Sequence, residues 1–221
     1  MIEIDFFSFS KSRRASERET LIEEFSPTPE QRADFQNYGF NYWDNPEYGV
    51  GYGGYSYDGR YGVCAEKMIS HYRLNSSSRV LEIGCAKGFI LYEFHKRGIQ
   101  VNGIDLSSYA VENSMEEVKE FIVNGSCEQL PWPDNTFDFV YSKETLPHLS
   151  ENQLRATLHE IKRVSKTDNI FFEIQVSEDK RGQDLIKSWD ETHLTIHDTN
   201  WWRNFLSDLD YKGQVNFKIL F

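Results

Sequence analysis

The stretch VLEIGCAKGF, Val80–Phe89, decides how this chain folds. Arg79–Ile83 is a short run of mostly apolar residues with one acid, the composition of a buried strand, and it breaks at Gly84. Gly84 permits a tight turn with bare backbone beside a ligand, and Gly88 lets a following helix pack close to its strand. Ala86 stands where a dinucleotide-binding loop carries its second glycine, which weakens the case for a pyrophosphate there.

Outward from this loop, strand and helix patterns alternate. GFILYEFHKRG reads as a helix closed by Gly98, and IQVNGID as a second strand ending at Asp105. LSSYAVENSMEEVKE reads as one helix capped by Ser107 or Ser108, FIVNGS as a short third strand and FDFVYS as a fourth. ENQLRATLHEIKRVS is helical, because Leu154, Leu158, Ile161 and Val164 recur at helical spacing. NIFFEIQVS is a fifth strand, TNWWRNFLSDL a late helix and YKGQVNFKILF a closing strand. The expected fold is therefore α/β, a doubly wound, mostly parallel sheet of the seven-stranded type with helices on both faces. Its ligand belongs beyond the carboxyl ends of the strands, where the strand order switches. That places function at Gly84–Gly88, Asp105, Ser126–Glu128 and Ser142–His148.

Composition limits the partners. The chain has 221 residues, 39% hydrophobic and 27% charged, enough for one domain with decoration. Its net charge of −11 disfavours nucleic acid, and the one basic cluster, KSRR at Lys11–Arg14, is followed after Ala15 by SERE. No apolar run approaches a membrane span, and the N-terminus lacks the pattern of a secretory signal, so the cytoplasm is expected. Cys64, Cys85 and Cys127 have no zinc spacing and read as reduced thiols; no metal is expected. Two domains are expected, a cap at 1–62 over the cofactor edge and the α/β domain at 63–221. The segment Asn37–Gly62 is dense in Tyr and Gly, an aromatic-rich cap.

Two acids refine the ligand. Asp105, seventeen residues past Gly88, can accept hydrogen bonds from both hydroxyls of a ribose. Glu82, beside the loop, suits a cationic group better than a pyrophosphate. S-adenosylmethionine has a ribose, an adenine, a sulfonium and an ammonium and no phosphate, and it fits this loop better than NAD does.

VLEIGCAKG, VNGIDLS and CEQLPWPDNTFDFVYS, taken in order, resemble the motifs of class I, Rossmann-like, S-adenosylmethionine-dependent methyltransferases. The resemblance runs from about Tyr61 to Val176 and implies methyl transfer that leaves S-adenosylhomocysteine. It implies that Glu82, Gly84, Cys85, Ala86 and Gly88 form the cofactor loop, that Asp105 binds the ribose and that Leu106 lies against adenine. Where relatives carry an acid before LPF, this chain has Ser126, which leaves adenine to the backbone of Cys127 and Glu128. The resemblance further implies two antiparallel strands after the late helix, of which the sequence displays one.

Candidate catalytic residues are Glu144 and His148 after the fourth strand, Glu173 inside the fifth, and His193 in DETHLTIHD. Each has a plainer alternative: His148 packing, Glu144 solvated, Glu173 bonded to a neighbouring loop, His193 on the surface. In the cap, Tyr57 would stack on adenine or the sulfonium and Arg60 would pair with the methionine carboxylate. Ser142 joins the cofactor set by its place at a strand end. Of Trp201 and Trp202, one is expected in the core and the other at the entrance. The expected reaction is O-methylation of a small polar, sugar-like metabolite, as in carbohydrate biosynthesis. Rivals are an N-, carboxyl- or protein methyltransferase, a cofactor-binding scaffold without turnover, and an NAD-dependent oxidoreductase.

Overall fold

The computed structural model describes residues 2–8 and 14–221, so Lys11, Ser12 and Arg13 of the basic cluster lie outside the described residues. The chain opens with a two-residue strand, β1 (Ile2–Glu3), and three helices, α1 (Ala15–Glu24), α2 (Pro29–Gln36) and α3 (Phe40–Trp43). Next come α4 (Gly62–Tyr72), β2 (Arg79–Ile83), α5 (Phe89–His95), β3 (Gln100–Asp105), α6 (Ser108–Glu112), α7 (Glu116–Lys119) and β4 (Ile122–Asn124). β5 (Phe139–Lys143), α8 (Glu151–Val164), β6 (Ile170–Val176), α9 (Lys180–Trp189), α10 (Thr199–Asp208) and β7 (Gln214–Ile219) complete it.

The seven strands form one sheet in the order β1-β7-β6-β5-β2-β3-β4. Every pairing is parallel. The expected antiparallel pair is therefore corrected. β7 runs parallel to β6 after the α9–α10 crossover, and the outer slot beside it is filled by β1 from the other end of the chain. The order reverses between β2 and β5, so a crevice opens past their carboxyl ends.

Period-two alternation sorts the strand side chains between two cores. Val80, Phe139, Tyr141 and Phe171 pack on one face with α4 and α5 residues such as Met68 and Phe94. Leu81, Ile83, Val140, Phe172 and Ile174 pack on the other with the α8 stripe Leu154, Leu158, Ile161 and Val164 and with Trp202. Each such fully buried aliphatic or aromatic side chain contributes about 1.5–3 kcal/mol relative to exposure. Trp202 is in the core as expected, but Trp201 is stacked on His197 and Phe205 and lines neither cavity described below. Ser107 caps α6 by accepting from the Ala110 N–H. The helix expected over 106–120 is broken in two, because the Met115 N–H turns back to the Lys87 carbonyl of the glycine loop.

A third cluster joins the cap to the loop. Phe35, Tyr42, Trp43, Tyr48 and Val50 pack with Ala86, Ala110 and Trp189. Polar ties reinforce it: Lys87 Nζ donates to both Asp44 oxygens (2.5 and 2.6 Å) and to the Tyr55 carbonyl (3.0 Å). Trp43 Nε1 donates to Ser107 Oγ (3.1 Å), and Ser107 donates to the Tyr38 carbonyl. Residues 38–55 are thus fastened over the sheet's switch point, where both cavities open.

Candidate functional site

The loop after β2 is shaped by three residues in the left-handed region: Gly84 (φ +71°), Ala86 (φ +49°) and Gly88 (φ +73°). A Cβ on Gly84 would stand 2.1 Å from Thr145 Oγ1, and one on Gly88 would stand 2.9 Å from both Ile122 and Val118. Gly84 is thus required for close approach to the loop after β5, and Gly88 for helix packing; Gly88 lines neither of the two cavities described below. Ala86 accepts a backbone conformation that favours glycine. Its N–H donates to Asp105 Oδ2 (2.7 Å), while the Ser107 N–H donates to Oδ1 (2.9 Å). Each Asp105 oxygen keeps a lone pair beyond those bonds, which suits a pair of vicinal hydroxyls.

A cavity of about 250 Å³ lies over this turn. Its floor holds Glu82, Gly84, Cys85, Ala86, Asp105 and Leu106, and its side is Gly125–Glu128. Leu106 is 64% exposed, an apolar surface offered to a flat ring. Tyr38, Tyr42, Trp43, Tyr52 and Tyr55 of the cap enclose the other side.

Electrostatics separate the ligand classes. Burial raises the Glu82 carboxyl well above its ordinary value, although the Tyr141 hydroxyl donates to it (2.8 Å). Burial likewise pushes Asp105 up to about 6, against the lowering effect of its two backbone donors. Two buried carboxyls of raised pKa gain from a cation and resist a phosphate. The one lysine in the lining, Lys143, is held by Glu144 (2.7 Å) and Glu173 (3.5 Å) and offers no counter-charge to a pyrophosphate. These residues fit S-adenosylmethionine: Asp105 for the ribose, Leu106 and Gly125–Glu128 for adenine, Glu82 for the cationic amino-acid end. The Asp105 value also predicts a pH dependence. Loss of the anion as pH falls through about 6 removes acceptor capacity, so cofactor affinity by calorimetry should be roughly tenfold weaker at pH 5 than at pH 7.5.

A second cavity, about 470 Å³, adjoins the first. Tyr42, Tyr52, Tyr55, Lys143, Glu144 and His148 line both, so these six residues form the passage between them. The larger space is otherwise polar and aromatic, with Glu17, Arg18, Arg60, Gln175, Trp189, Asp190, His193 and Lys218 on its walls.

Several expected residues change place or role. Tyr57 lines neither cavity; its hydroxyl donates to Glu93 and its ring packs edge-on to Tyr92. Arg60 lines the larger cavity and is paired with Asp58 (2.7 Å), so it is not in the cofactor cradle. Ser142 is fully buried, donates to the Ile83 carbonyl (3.1 Å) and ties β5 to β2. Glu173 is buried inside the sheet, accepts from Asn216 (3.0 Å) and reaches neither cavity. Glu144 lines both, but Lys143 and Lys218 outweigh its burial and hold it well below the usual carboxylate range, which makes it a poor base. His148 and His193 are brought together, ring centroids 4.2 Å apart, with His148 in the passage and His193 on the larger cavity. Burial and the neighbouring His193 push His148 down to about 4, so its imidazole is neutral near pH 7.

Sequence reasoning did not single out Tyr42, Tyr52, Tyr55, Asp190 or Thr192. The tyrosines sit within the Tyr/Gly-dense stretch, and Asp190 and Thr192 lie just before His193.

Residues 81–172, from β2 into β6, match a family model described as "Methyltransferase domain". Among curated proteins, malonyl-[acyl-carrier protein] O-methyltransferase of Erwinia pyrifoliae is 30% identical over 104 residues, 47% of this chain and 39% of that protein. The mitochondrial arginine-hydroxylase NDUFAF5 of Rattus norvegicus is 33% identical over 93 residues, 41% of this chain and 26% of that protein. The chain spans well under half the length of these curated relatives. Among solved structures, the YcgJ protein of Bacillus subtilis superposes with a TM-score of 0.57 at 23% identity, covering 66% of each chain. The fold is Rossmann-like α/β, and among the described residues no helix is long and apolar enough to cross a membrane.

Proposed function

We propose that this chain, built on a methyltransferase domain, carries out S-adenosylmethionine-dependent methyl transfer to oxygen of a small polar, sugar-like acceptor. The observation that carries the reading is the passage. A cradle suited to a cationic nucleoside opens, through His148 and three tyrosines, into a polar cavity of small-metabolite size. When bound, S-adenosylmethionine supplies a methyl group on positively charged sulfur. The protein then has to align, dehydrate and deprotonate. Asp105 and the loop fix the nucleoside, while the aromatic cap at 38–55 excludes water. His148, neutral and in the passage, is placed to accept the proton of an acceptor hydroxyl, an effect worth roughly 10²–10⁴-fold.

The supporting match to malonyl-[acyl-carrier protein] O-methyltransferase is to a protein that methylates oxygen, on a different kind of acceptor. The similarity to an arginine-hydroxylase favours one second reading, in which the cofactor cradle serves chemistry other than methyl transfer. Incubating the protein with methyl-labelled S-adenosylmethionine and fractionated small-molecule extract, followed by mass spectrometry, separates the two. A labelled, hydroxyl-bearing product is expected. Cofactor binding without any labelled product, from metabolites or from added protein, would support the second reading.

A further inference from the structure

The segment after α9 holds a chain of polar groups that the reaction outlined above does not itself require. Asp190 and Thr192 are both buried. The Asp190 carboxylate accepts three hydrogen bonds: the Thr192 N–H (3.0 Å) and hydroxyl (2.5 Å) on Oδ1, and the Tyr42 hydroxyl (3.0 Å) on Oδ2. Thr192 Oγ1 also lies 2.8 Å from His148 Nδ1.

These contacts fix proton positions by elimination. An ionised carboxylate only accepts, so the single Thr192 hydroxyl proton is committed to Asp190. Burial would raise Asp190, but His193, His148 and Thr192 outweigh it and hold the group below its ordinary value, so it is the ionised form that receives that proton. The Thr192 oxygen can then only accept from His148, so Nδ1 must carry the hydrogen. The lone pair is left on Nε2, which has no hydrogen-bond partner among the described residues, on a side chain that lines both cavities.

We propose that Thr192 and Asp190 are positioning residues that lock His148 in the Nδ1–H tautomer and so present Nε2, as a proton acceptor, at the passage between the cofactor cradle and the acceptor cavity. This rests on the reading of His148 as the base. With S-adenosylmethionine bound, the acceptor oxygen would gain the methyl as the methyl–sulfur bond breaks and neutral S-adenosylhomocysteine leaves, and the proton lost by the hydroxyl would end on Nε2. The resulting imidazolium keeps Nδ1–H on Thr192, with the Asp190 charge one hydroxyl further away. The other groups around His148 are His193 and Lys187 from the α9 side, Glu144 from the end of β5, and the Tyr38 and Tyr42 rings of the cap.

The same cluster raises a rival. One donor atom each from His148, Asp190 and His193 lies within 4.8 Å of the others, close enough to surround a metal ion. The hydrogen bonds argue for the relay: Asp190 already accepts from three donors, and His193 Nε2 is bonded to Gln175 Oε1 (2.8 Å).

The test is imidazole 15N NMR on the histidine-labelled protein without added cofactor, with the His148 resonances assigned by their loss in His148→Gln. Wild type and Thr192→Ser should show His148 protonated on Nδ1, and Thr192→Val should show a shift toward the Nε2–H tautomer. In turnover assays at saturating cofactor, Thr192→Val should lower kcat by roughly 10–100-fold, part of the full effect of a base. KM should change little, and Thr192→Ser should restore the rate. An Nε2–H tautomer in wild type, or no change in Thr192→Val, overturns the proposal. So does stoichiometric Zn²⁺ uptake that is lost in His193→Ala. If the NMR result holds and no acceptor is ever methylated, the relay stands and the methyl-transfer reading falls.

Discussion

Gly84→Ala is expected to remove detectable cofactor binding and to lower the melting temperature by roughly 5–15 °C. Two independent penalties meet at this residue. Its φ of +71° is disfavoured for any L side chain by about 1–2 kcal/mol. The added Cβ would also overlap Thr145 Oγ1 at 2.1 Å and Thr145 Cγ2 at 2.5 Å. Relief requires Thr145 to move, which breaks its bond to the Ile83 carbonyl (3.2 Å) and separates the loops after β2 and β5 that form the cradle. A total of about 2–4 kcal/mol converts to the stated shift for a domain of this size. Gly98→Ala is the control. Its φ is +79° but nothing lies within 4 Å of the added Cβ, so only the backbone penalty applies and binding should survive. Calorimetry with S-adenosylhomocysteine and thermal melts read both variants. Gly84→Ala binding as wild type does would show that the loop does not contact the ligand.

His148→Gln is expected to lower kcat by roughly 10²–10⁴-fold while S-adenosylhomocysteine affinity stays within a few-fold. Glutamine is of similar size and keeps polar atoms in the passage, but it cannot take a proton. The wild-type rate carries a matching signature. The base must be neutral, and burial and His193 push His148 down to about 4 from the ordinary 6.5. At saturating cofactor, kcat should therefore hold nearly level from pH 8 down to about 5, where an ordinary histidine would already have lost over nine-tenths of its activity. A profile that bends near 6.5 would place an exposed histidine, or none of those described, in the role of base.

How much of this was visible in the sequence depends on whether the signal was local. Glu82, Gly84, Ala86, Asp105, Leu106 and Ser126–Glu128 each sit at the end of a readable strand, and all line the cradle. The core of α8 was equally legible, since its apolar residues keep helical spacing. The cap was not. Gly49, Gly51, Gly53, Gly54 and Gly59 all take positive φ, so the chain between them has no period from which to tell inward from outward tyrosines. Tyr52 and Tyr55 face the cavities while Tyr57, two residues on, bonds Glu93 instead. The cost of burying an acid marks Glu173 in the sequence, but the side chain lines neither cavity and is partnered by Lys143 and Asn216. β1 has two residues, too short for any pattern, and its pairing with β7 joins opposite ends of the chain. The Asp190–Thr192–His148 chain spans over forty positions, and only folding brings its members within hydrogen-bond distance.

The central claim is that two buried carboxyls and a turn of small residues hold a cationic, phosphate-free nucleoside. Isothermal titration of wild type and Asp105→Ala with S-adenosylmethionine, S-adenosylhomocysteine and NADH tests it most directly. Removing a carboxylate that accepts two hydroxyls should weaken both adenosyl ligands by roughly 10²–10⁴-fold, at about 1.5–3 kcal/mol per charged hydrogen bond, with NADH bound poorly by either protein. Equal affinity of wild type and Asp105→Ala for S-adenosylhomocysteine, or tighter binding of NADH than of either adenosyl compound, would contradict the account.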